Sequence, residues 1–269
     1  MQRGYVDTVP VCSKNGTINV ANLSKFVKLN FTGGNNVVDA AIARVISGQV
    51  SPLILQIGTV SATTVNPSLG LAVEKSGRTT SKTTGKIGSI NVTVTVSGYG
   101  PCGKGTNTAV FVKQFLINSK TFSAPGDSGS LIVTQPPPGT KPKPVGLLFA
   151  GSPSTTVGNP INSVLTALGI KFVGSNAEAP METPTDPELE RVSQVKDRYN
   201  DYLLHLPGVA GHGVSLAQDG SGRPVIVLFL KNARVSVEDF PTTVEGVPVE
   251  TQVTGEFRTT VNCSHVAAK

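Results

Sequence analysis

The sequence predicts a mainly β protein that ends in a small α+β module. Glycine, threonine, valine and serine are abundant, tryptophan is absent and 15% of the residues are charged, which favours strands and turns over long helices. Up to position 175 the apolar residues alternate as in half-buried strands, and their spacing becomes helical after position 188. With 269 residues, the chain is long enough for one large β domain or for two domains.

Strands are expected through most of residues 1–175, which we predict to form the larger domain. Apolar residues at alternate positions of 90–96 indicate one buried face of a strand. Two short apolar runs, 131–133 and 145–151, flank a proline-rich stretch and predict two strands joined by a turn.

Two short helices are also expected in this segment. One is predicted over residues 38–46. The other follows Pro160, where the apolar residues of 161–168 fall at helical spacing and Gly169 ends the run.

A second module is predicted over residues 189–260. It is separated from the first by residues 176–188, which are acidic and rich in proline and therefore indicate a linker. The spacing of apolar residues over 189–206 predicts a helix of about five turns, for which Asp186 is a candidate N-cap. Strands are expected over 209–216, 225–230 and 244–253, and Asp219-Gly220-Ser221-Gly222 predicts a hairpin turn between the first two.

Charge is divided unevenly between the two segments. Residues 1–175 contain 15 Lys+Arg and 4 Asp+Glu, a net of +11, whereas residues 176–269 contain 8 and 13, a net of −5. Opposite charges predict an intramolecular contact between the basic domain 1–175 and the acidic module 189–260, through either a docking or an inhibitory role of the module. The lysines are scattered, without a basic run or interleaved aromatics, which argues against a nucleic-acid partner.

Several classes of protein are not expected. The three cysteines, Cys12, Cys102 and Cys263, have no metal-ligand or disulfide-framework spacing, so neither a metal nor another cofactor is predicted. No apolar run reaches the length of a membrane helix, and residues 1–5 lack the pattern of a signal peptide. The sequence as written predicts a cytoplasmic protein without a membrane partner, or a secreted one if a longer N-terminal part carries a signal.

The most informative motif is Gly126-Asp127-Ser128-Gly129 within residues 122–130. Its glycines allow a tight turn in which backbone amides converge on one point, as an oxyanion hole requires. Ser128 is the candidate nucleophile, and the amides of Gly126 and Ser128 are the candidate oxyanion hole. The alternative is an ordinary Gly-Ser turn between two strands.

A serine nucleophile needs a base and a carboxylate that orients the base. Residues 1–175 contain four acids, and of these Asp39 lies among small and apolar residues. A carboxylate in that setting is partly buried and needs a partner, so Asp39 is the candidate orienting acid. The alternative is a plain acid at the start of a helix.

The base is missing from this constellation. The three histidines, His205, His212 and His265, all lie in the second module, and none is placed by the sequence beside Ser128. Without an imidazole, Ser128 keeps the weak nucleophilicity of an ordinary alcohol.

Four motifs together resemble the trypsin-like serine peptidases of the chymotrypsin fold, in particular a bacterial branch. They are GDSGS at the nucleophile, VVDAAIA around Asp39, KSGRTTSKTTGKI over 75–87 and PVGLLFAGS over 144–152, and NPINSVL resembles the closing helix of that branch. The resemblance covers about residues 5–174. The second module resembles a small α+β module associated with the same peptidases, usually ahead of the peptidase domain.

The resemblance implies two β-barrels with the active site between them, with Asp39 as the triad acid and Ser128 as the nucleophile. It places Phe122 at the base of the primary specificity pocket, where an aromatic side chain argues against a preference for lysine or arginine. It implies that Phe149, Ala150 and Gly151 form the strand edge along which a peptide or protein substrate binds.

One departure from the family is large. The family places its histidine before the acid, whereas the 38 residues before Asp39 contain none. The first barrel is therefore expected to be incomplete in this chain. The sequence predicts a serine endopeptidase that is incomplete or inactive as written, and the alternative is a pseudoprotease that binds peptides or acts as a scaffold.

Overall fold

A computed structural model of the chain describes residues 20–100, 105–173, 186–236, 238 and 240–259. The fold is mainly β, as the sequence predicts. The strands are β1 (Ala21–Phe26), β2 (Asn35–Asn36), β3 (Ala41–Val45), β4 (Ala72–Gly77), β5 (Ser81–Tyr99), β6 (Asn107–Asn118), β7 (Leu131–Thr134), β8 (Pro144–Gly151), β9 (Thr155–Pro160), β10 (Val209–Leu216), β11 (Pro224–Leu230), β12 (Thr243–Val244), β13 (Val247–Val253) and β14 (Phe257–Thr259). The helices are α1 (Ile161–Leu168), α2 (Pro187–Arg198) and α3 (Asn200–Leu204), and none of the three is long and apolar enough to cross a membrane.

Six strands close into a barrel. The pairs β5–β4, β4–β7, β7–β8, β8–β9 and β9–β6 are all antiparallel, and the antiparallel pair β6–β5 completes the ring. β5 and β6 span 19 and 12 residues and are the longest of the described strands. The strands predicted around 90–96, 131–133 and 145–151 are therefore confirmed, and all of them belong to this barrel.

The barrel interior is filled by apolar side chains around Phe115. Gly146 of β8 and Gly158 of β9 face this ring so closely that a Cβ at either position would overlap it. Close packing of this kind makes both positions sensitive to added volume. The buried cluster consists of Val73, Ile87, Phe115, Ile117, Phe122, Ile132, Val145 and Leu148.

The N-terminal strands lie outside the barrel. β1 and β3 form a separate two-stranded antiparallel sheet, in which Ala21 pairs with Val45. The helix predicted over 38–46 is wrong, because β3 occupies its second half. Burial alternates from Asn36 to Ala41, which is the period of a strand. The short apolar run of the sequence fits this period as well as that of a helix. The described strands contain one closed barrel, and the double barrel that the resemblance implies stays a prediction.

The helices after β9 and after position 185 begin and end largely as predicted. α1 follows Pro160 and ends at Gly169, which adopts the left-handed conformation. The Asp186 side chain caps α2 by accepting a hydrogen bond from the Glu188 amide at 2.9 Å. The predicted single helix over 189–206 is divided at Tyr199 into α2 and α3.

The linker predicted over 176–188 lies outside the described residues up to position 185. Its last two residues, 187 and 188, belong to α2. The division of the chain into two domains around this linker stays a prediction.

The large sheet continues from the barrel into the C-terminal segment. β10 and β11 form the predicted hairpin, and β10 pairs antiparallel with β5, so that Gly211 lies opposite Val94. A Cβ at Gly211 would lie 2.5 Å from the carbonyl oxygen of Thr93, so the close approach of the two strands requires glycine there. β11 pairs with β13, and α2 and α3 pack on β10. The two segments are thus joined by backbone hydrogen bonds.

Candidate active site

The predicted nucleophile loop, residues 122–130, joins β6 to β7 and contains two tight turns. Gly126 has a φ of +108°, a left-handed conformation that residues with side chains rarely adopt. The loop is held against β8 by two backbone hydrogen bonds, from Gly129 to the Leu148 carbonyl at 2.8 Å and from Leu148 to the Ser130 carbonyl at 3.0 Å. The serine therefore lies on a loop whose backbone is fixed to the barrel wall.

The buried carboxylate of Asp127 fixes this loop to the turn that joins β4 to β5. It accepts hydrogen bonds from the amides of Thr79, Thr80 and Ala124 at 2.7, 3.2 and 3.0 Å, and from the Thr80 hydroxyl at 2.7 Å. The Lys75 ammonium lies 3.4 Å away, and both side chains of this ion pair are fully buried. Burial alone would raise the pKa of Asp127, but the hydrogen bonds from Thr80, Thr79 and Ala124, together with Lys75, hold it below its ordinary value.

Sequence reasoning missed Lys75 as part of the site. Its ammonium group donates to the Thr80 hydroxyl and to the Ser81 carbonyl, the latter at 3.0 Å, and lies 5.8 Å from the centre of the Phe122 ring. Burial lowers the pKa of Lys75, while the charge of Asp127 opposes that shift. The sequence carries no local signal for this role, because the partner Asp127 lies far away along the chain.

Ser128 is half-buried at the surface of the loop. Its hydroxyl donates to the carbonyl of Phe149 at 3.2 Å, and the Phe149 ring is buried against Phe111 with the ring centres 4.8 Å apart. The Arg78 guanidinium lies close to the neighbouring turn. A Cβ added to Gly126 would be 2.9 Å from its Nη2 atom. Within the described part of the chain, the Gly126 amide donates no hydrogen bond.

Asp39 lies between β2 and β3 and has the partner that its sequence environment predicts. The Tyr99 hydroxyl donates to its Oδ2 atom at 2.7 Å. Its backbone is held by Asn159, which accepts from the Asp39 amide and donates to the Asp39 carbonyl, both at 3.1 Å. Burial raises the pKa of Asp39 above its ordinary value, and the hydrogen bond from Tyr99 opposes the shift. The pKa of Tyr99 is raised by burial and by the charge of Asp39.

Asp39 is linked to β8 through the Asn159 side chain, whereas Ser128 is linked to it directly. The Asn159 side chain that binds the Asp39 carbonyl also donates to the Leu147 carbonyl at 3.4 Å, and Ser128 donates to Phe149, two residues further along the same strand. The hydrogen bonds of the candidate acid and the candidate nucleophile therefore lead to two carbonyl groups of one barrel strand, those of Leu147 and Phe149. Their catalytic roles stay predictions.

Both histidines within the described residues are engaged elsewhere. His212 is fully buried in β10, and its Nε2 atom lies 3.1 Å from the Asn200 carbonyl. Burial, with a further contribution from Lys196, lowers its pKa to about 3, so it is neutral at physiological pH. His205 is exposed at the end of α3, and its Nδ1 atom lies 2.6 Å from the Asp201 carbonyl. Neither imidazole hydrogen-bonds to Ser128.

The predicted substrate-binding residues have mostly buried side chains. Phe122 is fully buried in the barrel core, and Phe149 is 4% exposed. Ala150 is fully buried and Gly151 is half-buried, and both pair with β14. The backbone of this part of β8, rather than its side chains, is therefore the surface that an extended peptide could contact. The roles of all four residues in substrate binding stay predictions.

The third histidine, His265, and the three cysteines, Cys12, Cys102 and Cys263, lie outside the described residues. Within the described ranges, no group of three or more histidine, cysteine or acidic side chains could hold a metal ion.

Solved structures with partial similarity to this chain are serine proteases of the chymotrypsin fold. A protease described as specific for glutamic acid, with a histidine triad in substrate binding, has a TM-score of 0.40 and 23% identity, over 56% of this chain and 73% of that one. The chymotrypsin of Cellulomonas bogoriensis has a TM-score of 0.40 and 23% identity, over 60% and 78% of the two chains. A Nocardiopsis protease has a TM-score of 0.38 and 25% identity, over 51% and 68%.

No protein-family model matches the chain, and no curated protein matches it. Because the TM-scores lie below 0.5, the chemistry of this chain has to be inferred from its own residues.

Proposed function

We propose that the chain carries the nucleophile half of a trypsin-like serine endopeptidase site, in which Ser128 attacks peptide bonds once a histidine base is supplied. The observation that carries the proposal is the burial of Asp127 beneath the loop, with four hydrogen bonds and the Lys75 ammonium. Buried charges of this kind fix a backbone in one geometry, which is the requirement for a preorganised oxyanion hole.

In the proposed acylation step, the Ser128 oxygen bonds to the carbonyl carbon of the substrate while the base takes the hydroxyl proton. The negative charge moves to the carbonyl oxygen, where the amides of Gly126 and Ser128 stabilise it, with the Arg78 guanidinium nearby. The C–N bond then breaks, the amine leaves with the proton from the base, and water hydrolyses the resulting ester.

Asp39 is the proposed orienting acid. Tyr99 occupies its Oδ2 atom, and Oδ1 accepts no hydrogen bond from the described part of the chain. A carboxylate can accept on both oxygens, so an imidazole N–H can bind Oδ1 while Tyr99 stays in place. The link from Asp39 through Asn159 to the Leu147 carbonyl, two residues before the carbonyl that accepts from Ser128, supports this role.

A second candidate function is peptide binding without hydrolysis. Both described histidines are held by carbonyl groups of the α2–α3 region, so neither activates Ser128. A fixed turn beside the edge of a strand can bind an extended peptide by main-chain hydrogen bonds, whether or not the peptide is cleaved.

The experiment that separates these functions is labelling of Ser128 by a fluorophosphonate, with and without added imidazole. In the labelling reaction, the Ser128 oxygen bonds to phosphorus, fluoride leaves and the proton goes to the base. We expect slow labelling of the chain alone and at least about tenfold faster labelling with imidazole, because both described histidines are bound to carbonyl groups elsewhere. The label is located by mass spectrometry.

The matched control is Ser128→Ala, which keeps the loop and removes the nucleophile. Labelling that persists in this variant would show reaction elsewhere on the chain. Absence of labelling at Ser128 with imidazole would reject the peptidase proposal, and retained peptide binding would then favour the second function.

A further inference from the structure

The short strand β14 lies beside the candidate site, and no local feature of the sequence predicts this position. It is inserted between two strands of the barrel, parallel to β5 and antiparallel to β8. On β8 it pairs Arg258 with Gly151 and Thr259 with Ala150. These β8 residues belong to the strand edge predicted to bind substrate, next to the Phe149 carbonyl that accepts a hydrogen bond from Ser128.

Specific contacts hold β14 in this position. Phe257 is 1% exposed, and its ring lies 6.0 Å from that of Phe229. On the β5 side, the Ser97 hydroxyl donates to the Phe257 carbonyl at 3.3 Å, and the Thr259 hydroxyl donates to the Gly98 carbonyl at 3.3 Å. The segment is thus a seated strand with one buried side chain.

The direction of β14 is that of a peptide approaching the nucleophile loop. Its residues run from a position opposite Gly151 to a position opposite Ala150, and therefore toward Phe149. An extended peptide that adds to the edge of a strand uses the same backbone groups in the same antiparallel arrangement. One strand edge cannot pair with two partners at once.

We propose that β14 is an intramolecular occupant of the peptide-binding edge of β8, so that the C-terminal segment competes with extended peptides for the cleft. This inference rests on the proposed function, because it assigns the partner and regulation of the same site. A tethered segment acts at an effective concentration in the millimolar range, which suppresses ligands of micromolar affinity or weaker.

The test measures peptide binding, which does not depend on catalysis. The probe is the synthetic peptide fluorescein-Gly-Arg-Thr-Thr-Val-Asn, which carries the sequence of residues 258–262, and binding is followed by fluorescence anisotropy. Two variants open the edge: a chain ending at Phe257, which keeps the buried ring, and the full chain with Thr259→Pro, which removes a backbone N–H from β14. The full-length variant Thr259→Ser is the matched control, because it keeps the backbone amide and a hydroxyl that can donate to the Gly98 carbonyl.

We expect the truncated chain and Thr259→Pro to bind the probe at least about tenfold more tightly than the full chain and Thr259→Ser. Equal, measurable affinity in all four proteins would overturn the proposed competition while leaving the peptide-binding cleft intact. Absence of binding in all four would reject the cleft itself, and the competition with it. Thermal unfolding of each variant establishes that a change in affinity comes from a folded protein.

Discussion

Two aspartates define the candidate site, and they have opposite environments. Asp127 is fully buried but receives four hydrogen bonds and the Lys75 ammonium, and its pKa is lowered. Asp39 is half-buried with the Tyr99 hydroxyl as the described donor to its carboxylate, and its pKa is raised. One charge is compensated within the protein, whereas the other is only partly compensated.

The two environments suit different roles, a structural role for Asp127 and the proposed chemical role for Asp39. A fully compensated carboxylate stabilises a fixed backbone and is a poor partner for anything else. An undercompensated carboxylate favours any further donor or cation that reaches it, which is the property expected of an acid that orients a base. Within the described residues, the candidate nucleophile loop therefore holds the fully compensated carboxylate, and Asp39 holds the one with a single side-chain donor, Tyr99.

The largest change in stability is expected when the buried ion pair between Asp127 and Lys75 is broken. Asp127→Asn leaves the Lys75 ammonium buried without a counter-charge, and we expect a loss of about 3–5 kcal/mol in the free energy of unfolding. The measurement is urea denaturation at pH 7. Glu245→Gln, which removes an exposed partner of Arg198, is the control and should change stability little.

The double variant Lys75→Met, Asp127→Asn sharpens this prediction. It removes both charges, so it should recover much of the stability that Asp127→Asn loses. If the double variant is as unstable as the sum of its single variants, the loss arises from the hydrogen bonds of Asp127 rather than from the unpaired lysine.

The two halves of the site also differ in how far the sequence predicts them. The nucleophile loop and its flanking strands follow from local patterns, because turn glycines and alternating apolar residues lie close together in the chain. Lys75 does not, since its partner Asp127 is far away in sequence and scattered lysines otherwise indicate a solvated surface. Closure of the barrel through the pairs β4–β7 and β6–β9, and the place of β14 between β5 and β8, depend on long-range pairing that no local pattern contains.

The stretch around Asp39 shows a second limit. Its small and apolar residues fit the period of a helix as well as that of a strand, and the helix predicted there was wrong. The need of Asp39 for a partner could nevertheless be predicted, because burial of a carboxylate requires a donor whatever the local structure. At this position the need for a hydrogen-bond donor was more predictable than the local conformation.

A smaller effect is expected when the one described donor to the Asp39 carboxylate is removed. Tyr99→Phe keeps the ring that stacks on Phe111 and deletes the hydroxyl. Hydrogen bonds to charged groups contribute about 1.5–3 kcal/mol, so we expect a loss within this range at pH 7. Tyr202→Phe, at an exposed tyrosine, is the control. A loss of the same size at a pH where Asp39 is protonated would show that the ring packing, rather than the hydrogen bond to the charged carboxylate, has been disturbed.

The smallest change in stability is expected for Asp39→Asn, and this change is a gain rather than a loss. The folded-state pKa of Asp39 is raised above the ordinary 3.8, so the folded state binds the proton more tightly and its stability falls as the pH rises from 3.8 through the raised pKa. Asparagine removes this penalty and still accepts from Tyr99, so the variant should unfold at a higher temperature than the parent chain at pH 7 and lose that advantage below pH 3.8.

Asp127→Asn should show the reverse profile, because the lowered pKa of Asp127 contributes stability above 3.8 that disappears as the pH falls through the folded-state pKa. Thermal unfolding of both variants between pH 3 and pH 7 measures the two profiles side by side. Profiles of the same sign would mean that Asp39 is as well compensated as Asp127, and the carboxylate would then have little tendency to recruit an imidazole.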